Sequence, residues 1–121
     1  MARVLIAVRS ENLAAALAET ITEYEVHVCH TGEAALAALE TYWPDGLIID
    51  LSLPWGSGLA VLQQTRCRPP VILGLTNIIG ESILRAAADA GVQHMVMLPC
   101  PAQRILRHLD ALMQKCPASE S

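Results

Sequence analysis

The sequence contains no phenylalanine, and aromatic residues make up only 3% of its 121 residues. Charged residues are also scarce, at 17%, against roughly 25% in ordinary globular domains. Because 53% of the residues are hydrophobic, the composition excludes a disordered chain, which combines low hydrophobicity with high charge. The length predicts one domain, and its core must be aliphatic.

Basic residues are few, and no cluster of them forms a stripe that could follow a phosphate backbone. Lysine and arginine together number 8, and the formal net charge is −4. Nucleic-acid binding is therefore not expected. The apolar runs are only as long as strands, far below the roughly 20 residues that span a bilayer, so no membrane segment is expected either.

Paired metal-binding or redox cysteines are also absent. The four cysteines form no Cys-x-x-Cys pair, which excludes a zinc ribbon and a thioredoxin motif. No signal peptide precedes them, so we expect a reducing, cytoplasmic compartment. The four histidines fall in different predicted elements, and the sequence predicts no metal site from them.

Short apolar runs alternate with amphipathic windows along the whole chain. The predicted strands are residues 4–8, 25–29, 46–50, 71–75 and 94–98. Several of these runs are continuous rather than alternating, as in strands that are covered on both faces. Strands that alternate with helices predict an α/β fold with a parallel sheet, doubly wound by helices on both faces.

The helix boundaries carry their own signals. Ser10, Thr31 and Ser57 are predicted to cap the first three helices, because a hydroxyl at this position accepts a hydrogen bond from the first turn. Gly91 is the expected left-handed terminator of the fourth helix, and Pro101 suits the first turn of the last one.

In open parallel sheets the chemistry lies beyond the carboxyl ends of the strands. Polar and apolar residues that follow the predicted strands are therefore the candidates for a functional site. They are Arg9, Ser10, Asp50, Ser52, Thr76, Asn77, Leu98 and Pro99.

Three segments resemble the receiver domains of two-component response regulators: residues 44–59, 71–76 and 91–99. The most specific is the first, in which Asp50 ends a strand and a proline and a glycine follow. The resemblance covers residues 3 to about 113. It implies a five-stranded, flavodoxin-like (βα)5 fold with strand order 2-1-3-4-5, a domain over residues 1–115 and a flexible tail over residues 116–121.

The resemblance also implies roles for individual residues. Asp50 corresponds to the phosphoacceptor, and Thr76, with Asn77 beside it, to the residue that senses the phosphoryl group. Met95 stands where the family usually has a switching aromatic residue. Leu98 and Pro99 stand where the family has a Lys-Pro pair, whose peptide bond is expected to be cis.

The sequence departs from the family where charge is needed. Two acidic residues that help to bind a divalent cation should fall at Val8 and Arg9, or at Arg9 and Ser10 if the register slips by one residue, and neither pair contains a carboxylate. The phosphoryl-binding lysine is replaced by Leu98. Only Asp50, the backbone of Ser52 and Glu11 remain as weak magnesium ligands, so no cofactor is expected. We expect the Arg9 guanidinium to reach Asp50 and to replace the cation.

Three functions follow as hypotheses. The first is a degenerate receiver, not an enzyme, that acts by protein–protein interaction. Its partner would be a signalling protein, a histidine kinase or a second copy, docked on the fourth helix, fifth strand and fifth helix. The second is an active receiver that a histidine kinase phosphorylates on Asp50. The third is a flavodoxin-like cofactor binder. Trp55, in the loop after Asp50, could be a partner anchor or a lid.

Overall fold

The computed structural model describes residues 2–53, 57–78 and 80–115. Five parallel strands form one sheet in the order β2-β1-β3-β4-β5, which confirms the predicted doubly wound fold. The strands are β1 Arg3–Ala7, β2 Glu25–Cys29, β3 Gly46–Asp50, β4 Val71–Thr76 and β5 His94–Met97. The helices are α1 Glu11–Thr20, α2 Gly32–Thr41, α3 Gly58–Gln64, α4 Glu81–Asp89 and α5 Ala102–Lys115.

The strand predictions hold to within one residue at each end. β2 and β3 have the predicted bounds, whereas β1 starts and ends one residue early and β4 extends to Thr76. β5 ends at Met97 instead of Leu98. Pro99, two residues after Met97, has no N–H with which to continue the hydrogen-bond ladder. The Leu98–Pro99 peptide bond is cis, as the resemblance implied.

The helix signals are confirmed for the most part. Ser10, Thr31 and Ser57 each accept a hydrogen bond from a backbone N–H in the first turn of their helix. Gly91 has a φ of 99°, the left-handed conformation expected of it. The last helix begins at Ala102, and Pro101 precedes it, with its carbonyl accepting the first helical hydrogen bonds.

Helix α3 ends at Gln64, because Thr65 adopts an extended backbone with a ψ of 143°. The Thr65 hydroxyl then accepts a hydrogen bond from the N–H of Cys67. This local turn satisfies backbone groups that would otherwise continue the helix.

The sheet separates two aliphatic cores, as a doubly wound fold requires. Leu5, Leu47 and Ile49 point to the core beneath α2, α3 and α4, while Ile6 and Ile48 point to the core beneath α1 and α5. β3 and β4 are buried along their whole length, so their ends are rigidly placed.

Two expectations fall on parts of the chain that the structure does not describe. Trp55 and the tail over residues 116–121 lie outside the described residues, so their predicted roles stay predictions. Within residues 2–53, 57–78 and 80–115, no helix has the length and apolar character needed to cross a membrane.

Candidate functional site

Asp50 lies at the carboxyl end of β3 and is 4% exposed. Its Oδ1 accepts hydrogen bonds from the backbone N–H of Ser52 at 2.9 Å and from the Ser52 hydroxyl at 2.7 Å. Its Oδ2 accepts one from the backbone N–H of Arg9 at 3.3 Å. A buried carboxylate needs such donors to offset its lost hydration. The chain itself therefore supplies the donors for both oxygens.

Gly58, at the start of α3, packs closely against the backbone of Asp50. A Cβ added to Gly58 would overlap the carbonyl oxygen of Asp50 and lie 3.0 Å from its carbonyl carbon. The first turn of α3 therefore packs directly on the end of β3. Only glycine permits this approach, so the Asp50 backbone has little freedom to shift.

Arg9 contributes to the site differently from what the sequence predicted. Its side chain is exposed, and among the described residues no ion pair joins its guanidinium to Asp50. Its backbone N–H makes the contact instead, because Asp50 and the residues that follow β1 meet at the same edge of the sheet. The expectation of a guanidinium seated in place of a cation is therefore wrong for this structure.

The residues present do not fit a magnesium ion. Magnesium needs oxygen ligands in near-octahedral geometry. At the two positions that should carry acids, Val8 is apolar and fully buried and Arg9 is a cation. The carbonyl oxygen of Val8 already accepts a hydrogen bond from the ring Nδ1 of His30, at 2.9 Å. Glu11 is exposed on the first turn of α1.

An open cleft of about 490 Å³ lies over the carboxyl edge of the sheet. It brings together seven of the eight candidates predicted from the strand ends, and only Thr76 is missing. Its lining residues are Arg9, Ser10, Asp50, Ser52, Asn77, Leu98 and Pro99. The sequence therefore located the cleft, although the contacts within it differ from those expected.

Thr76 is buried at the end of β4, and a local turn occupies its hydroxyl. The Thr76 Oγ1 donates to the carbonyl of Ile78 at 2.9 Å and accepts from the N–H of Ile78 at 3.1 Å. The neighbouring Asn77 is exposed in the cleft. The hydroxyl that the resemblance assigns to phosphoryl sensing is therefore directed to its own loop.

Met95 packs on the face of the sheet that carries α2, α3 and α4. Its side chain fills the space above Gly74, where an added Cβ would lie 2.7 Å from the Met95 sulfur. Leu98, at the position of the family's lysine, is half-buried and packs against the opposite core. Pro99 is exposed. Met95 and Leu98 therefore make apolar contacts.

The structure also brings together residues that the sequence left apart. The rings of His94, on β5, and His108, on α5, lie 4.4 Å apart between their centroids. His94 lies two residues before the buried Val96, and His108 lies between the buried Leu106 and Leu109, so the strand and helix periods could have placed both at the interface.

Comparison with known proteins identifies the family. The model of the response regulator receiver domain matches residues 4–110. Among curated proteins, the response regulator MprA of Mycobacterium avium (strain 104) is 28% identical over 96 residues, which are 76% of this chain. The MprA of Mycobacterium ulcerans (strain Agy99) is also 28% identical. The match covers only 41% and 40% of these relatives' lengths.

Solved structures agree on the fold. A CheY-like receiver domain protein from Methanospirillum hungatei JF-1 superposes with a TM-score of 0.89 at 19% identity, covering 98% of both chains. The chemotaxis response regulator CheY4 of Vibrio cholerae gives a TM-score of 0.83 at 23% identity and covers 93% of this chain and 98% of its own. At these identities the likeness concerns the fold alone.

Proposed function

This chain belongs to the response regulator receiver domain family of two-component signalling, and from that premise we propose that it is a degenerate receiver. It acts through protein–protein contacts instead of through magnesium-dependent phosphorylation of Asp50. One observation carries the proposal: the Asp50 carboxylate is buried and takes its donors from Ser52 and from the Arg9 backbone.

The charges that drive phosphoryl transfer are missing around that carboxylate. A metal ion supplies several kcal/mol of charge stabilisation in such reactions. A positioned hydrogen-bond donor contributes roughly 3–4 kcal/mol in a measured case. At about 1.4 kcal/mol per factor of ten, losing both slows transfer by several orders of magnitude. Val8 and Leu98 replace groups that would supply this stabilisation.

The proposed docking face consists of α4, β5 and α5. Among the described residues, large exposed apolar side chains include Leu84 on α4, Met97 on β5 and Ile78 just before α4. Arg104 and Arg107 are exposed on α5. Apolar side chains ringed by charge are typical of an interface. We propose a signalling protein, a histidine kinase or a second copy as the partner.

We also propose a cytoplasmic location. The cysteines Cys29, Cys67 and Cys100 are free thiols, which fits a reducing compartment such as the cytoplasm.

A second copy is the first partner to test, by sedimentation equilibrium of the purified protein. If the protein forms a dimer, Met97→Asp should abolish it and Trp43→Ala should leave it intact. This result would indicate that the second copy docks on this face. Trp43 is a matched control because it is 65% exposed and lies outside the face. A dimer that depends on Trp43 instead would contradict the assignment.

An active receiver is the second candidate, favoured by the open cleft beside Asp50. The cleft of about 490 Å³ leaves room for a phosphoryl group, and the exposed Arg9 and Asn77 line it. In this alternative Arg9 would supply the positive charge once Asp50 carries a phosphoryl group. The family assignment gives the third hypothesis, a flavodoxin-like cofactor binder, no further support.

Beryllofluoride with magnesium separates the first two functions. We expect the amide ¹H–¹⁵N spectrum of the wild-type protein to be unchanged by beryllofluoride and magnesium, and acetyl phosphate to add no mass. Asp50→Asn is the control for adventitious binding. A saturable, magnesium-dependent shift centred on Asp50 and absent from Asp50→Asn would overturn the degenerate function in favour of the active one.

A gain-of-function variant complements this test by restoring the missing charges. The triple variant Val8→Asp, Arg9→Asp, Leu98→Lys should gain the response that the wild-type protein lacks. Val8 is fully buried, so the double variant Arg9→Asp, Leu98→Lys serves if the triple variant does not fold. Circular dichroism checks the fold of both. A folded triple variant that still fails to respond would show that the missing charges are not the cause.

A further inference from the structure

Two imidazole rings meet at the edge of the sheet, away from the Asp50 cleft. His94 begins β5, the edge strand, and His108 lies in the middle of α5. Their ring centroids are 4.4 Å apart and their planes are tilted by 31°. His94 is held on this face because Val96, two residues later, is buried beneath α5.

Both rings have nitrogens available for a ligand. In the part of the chain that the structure describes, neither ring makes a hydrogen bond to protein, whereas the ring of His30 is bonded to the carbonyl of Val8. His94 is exposed and His108 is half-buried, so both can be reached from solvent.

The ring spacing suits two ligands of one ion. Metal–nitrogen bonds to histidine are about 2.0–2.1 Å long, so two imidazoles at neighbouring positions of one ion have centroids about 4.5–5 Å apart. The observed 4.4 Å is close to this separation, so the positions of the two rings are compatible with two ligands of one ion.

We propose that His94 and His108 form a two-imidazole site for a divalent late transition-metal ion, such as Ni²⁺, Cu²⁺ or Zn²⁺, with water in the remaining positions. Imidazole suits these ions, whereas magnesium and calcium prefer oxygen. A bound ion would join β5 to α5 within the proposed docking face.

Nickel titration of the untagged protein tests the site. Because Ni²⁺ is paramagnetic, we expect saturable broadening of amide signals centred on His94 and His108. His94→Gln and His108→Gln should each weaken binding at least tenfold. His27→Gln is the matched control, since His27 is exposed and its ring lies beside Tyr42 instead of a second histidine. Broadening should weaken as the pH is lowered, because protons compete with the metal ion for imidazole nitrogens.

A measurement without variants protects the test against misfolding. Zn²⁺ added to the wild-type protein should shift the ring signals of His94 and His108 together and leave those of His27 in place. The proposal is overturned if the glutamine variants bind Ni²⁺ as the wild-type protein does, if broadening centres elsewhere, or if binding does not saturate below millimolar Ni²⁺. None of these outcomes depends on whether Asp50 is phosphorylated.

Discussion

Ser52 holds the Asp50 carboxylate through two hydrogen bonds to the same oxygen. The Ser52 hydroxyl and backbone N–H both donate to Oδ1, at 2.7 and 2.9 Å. Since a carboxylate oxygen has two lone pairs, the loop after β3 occupies the usual acceptor sites of Oδ1. A phosphoryl donor or a cation approaching this oxygen must displace a contact that the chain makes with itself.

Ser52→Ala should lower the free energy of unfolding by about 1 kcal/mol, because it removes one hydrogen bond to a buried carboxylate and leaves the backbone one in place. Urea unfolding followed by circular dichroism measures the change. Ser82→Ala is the matched control, since Ser82 is exposed on α4 and outside the site. Equal effects of the two substitutions would show that the Ser52 hydroxyl does not stabilise the fold.

Asp50→Asn should destabilise the protein by about 1–2 kcal/mol. An asparagine amide keeps one acceptor oxygen but turns its NH₂ group toward a donor, either the Arg9 N–H or the Ser52 donors, and leaves a buried donor unpaired. Asp89→Asn, at an exposed position of α4, is the control in the same urea unfolding experiment. In a site where several carboxylates repel one another, replacing one of them by an amide would stabilise the fold. A stabilising effect of Asp50→Asn would therefore contradict the hydrogen-bonded arrangement described here.

Three glycines should differ in their tolerance of alanine in a predictable order. Gly58→Ala should cost about 3 kcal/mol or more, because its Cβ would overlap the Asp50 backbone, which cannot move. Gly74→Ala should cost less, since the nearest atom is the sulfur of the flexible Met95 side chain. Gly80→Ala meets nothing within 4 Å and is the control. Urea midpoints in any other order would contradict this packing.

The fold could be predicted because local signals agree with the tertiary structure. Buried strands such as β3 read as continuous apolar runs, and hydroxyl caps such as Thr31 mark helix starts directly. The position of Gly91 predicted a left-handed residue at the end of α4, and Gly91 has this conformation. These features depend on a few neighbouring residues, so the sequence specifies them without knowledge of the rest of the molecule.

The contacts at the site could not be predicted in the same way. The sequence places Arg9 after β1 but does not say whether its guanidinium or its backbone N–H faces Asp50, and the backbone makes the contact. The His94–His108 pair depends on how α5 lies over β5, a tertiary relationship. The close approach of Gly58 also shows only once α3 is packed on β3.

Alkaline pH should destabilise the protein through Cys29. Burial at the end of β2 raises the pKa of the Cys29 thiol from 9.0 to about 11, so the folded state holds the thiol proton more tightly than the unfolded state does. The corresponding stability is fully present below pH 9 and is lost as the pH rises toward 11. Urea midpoints under reducing conditions at pH 8, 9 and 10 should therefore fall in the upper half of this range.

Cys29→Ala tests the origin of this fall. The alanine costs some packing energy at every pH but should flatten the decline between pH 9 and 10, whereas Cys67→Ala, at a half-exposed position, should keep the wild-type slope. Tyr24 does not obscure the result, because burial and the hydrogen bond to Asp110 raise its pKa from 10.0 to about 12, and its own loss begins above pH 10. A Cys29→Ala slope equal to that of the wild-type protein would show that the buried thiol is not the group responsible.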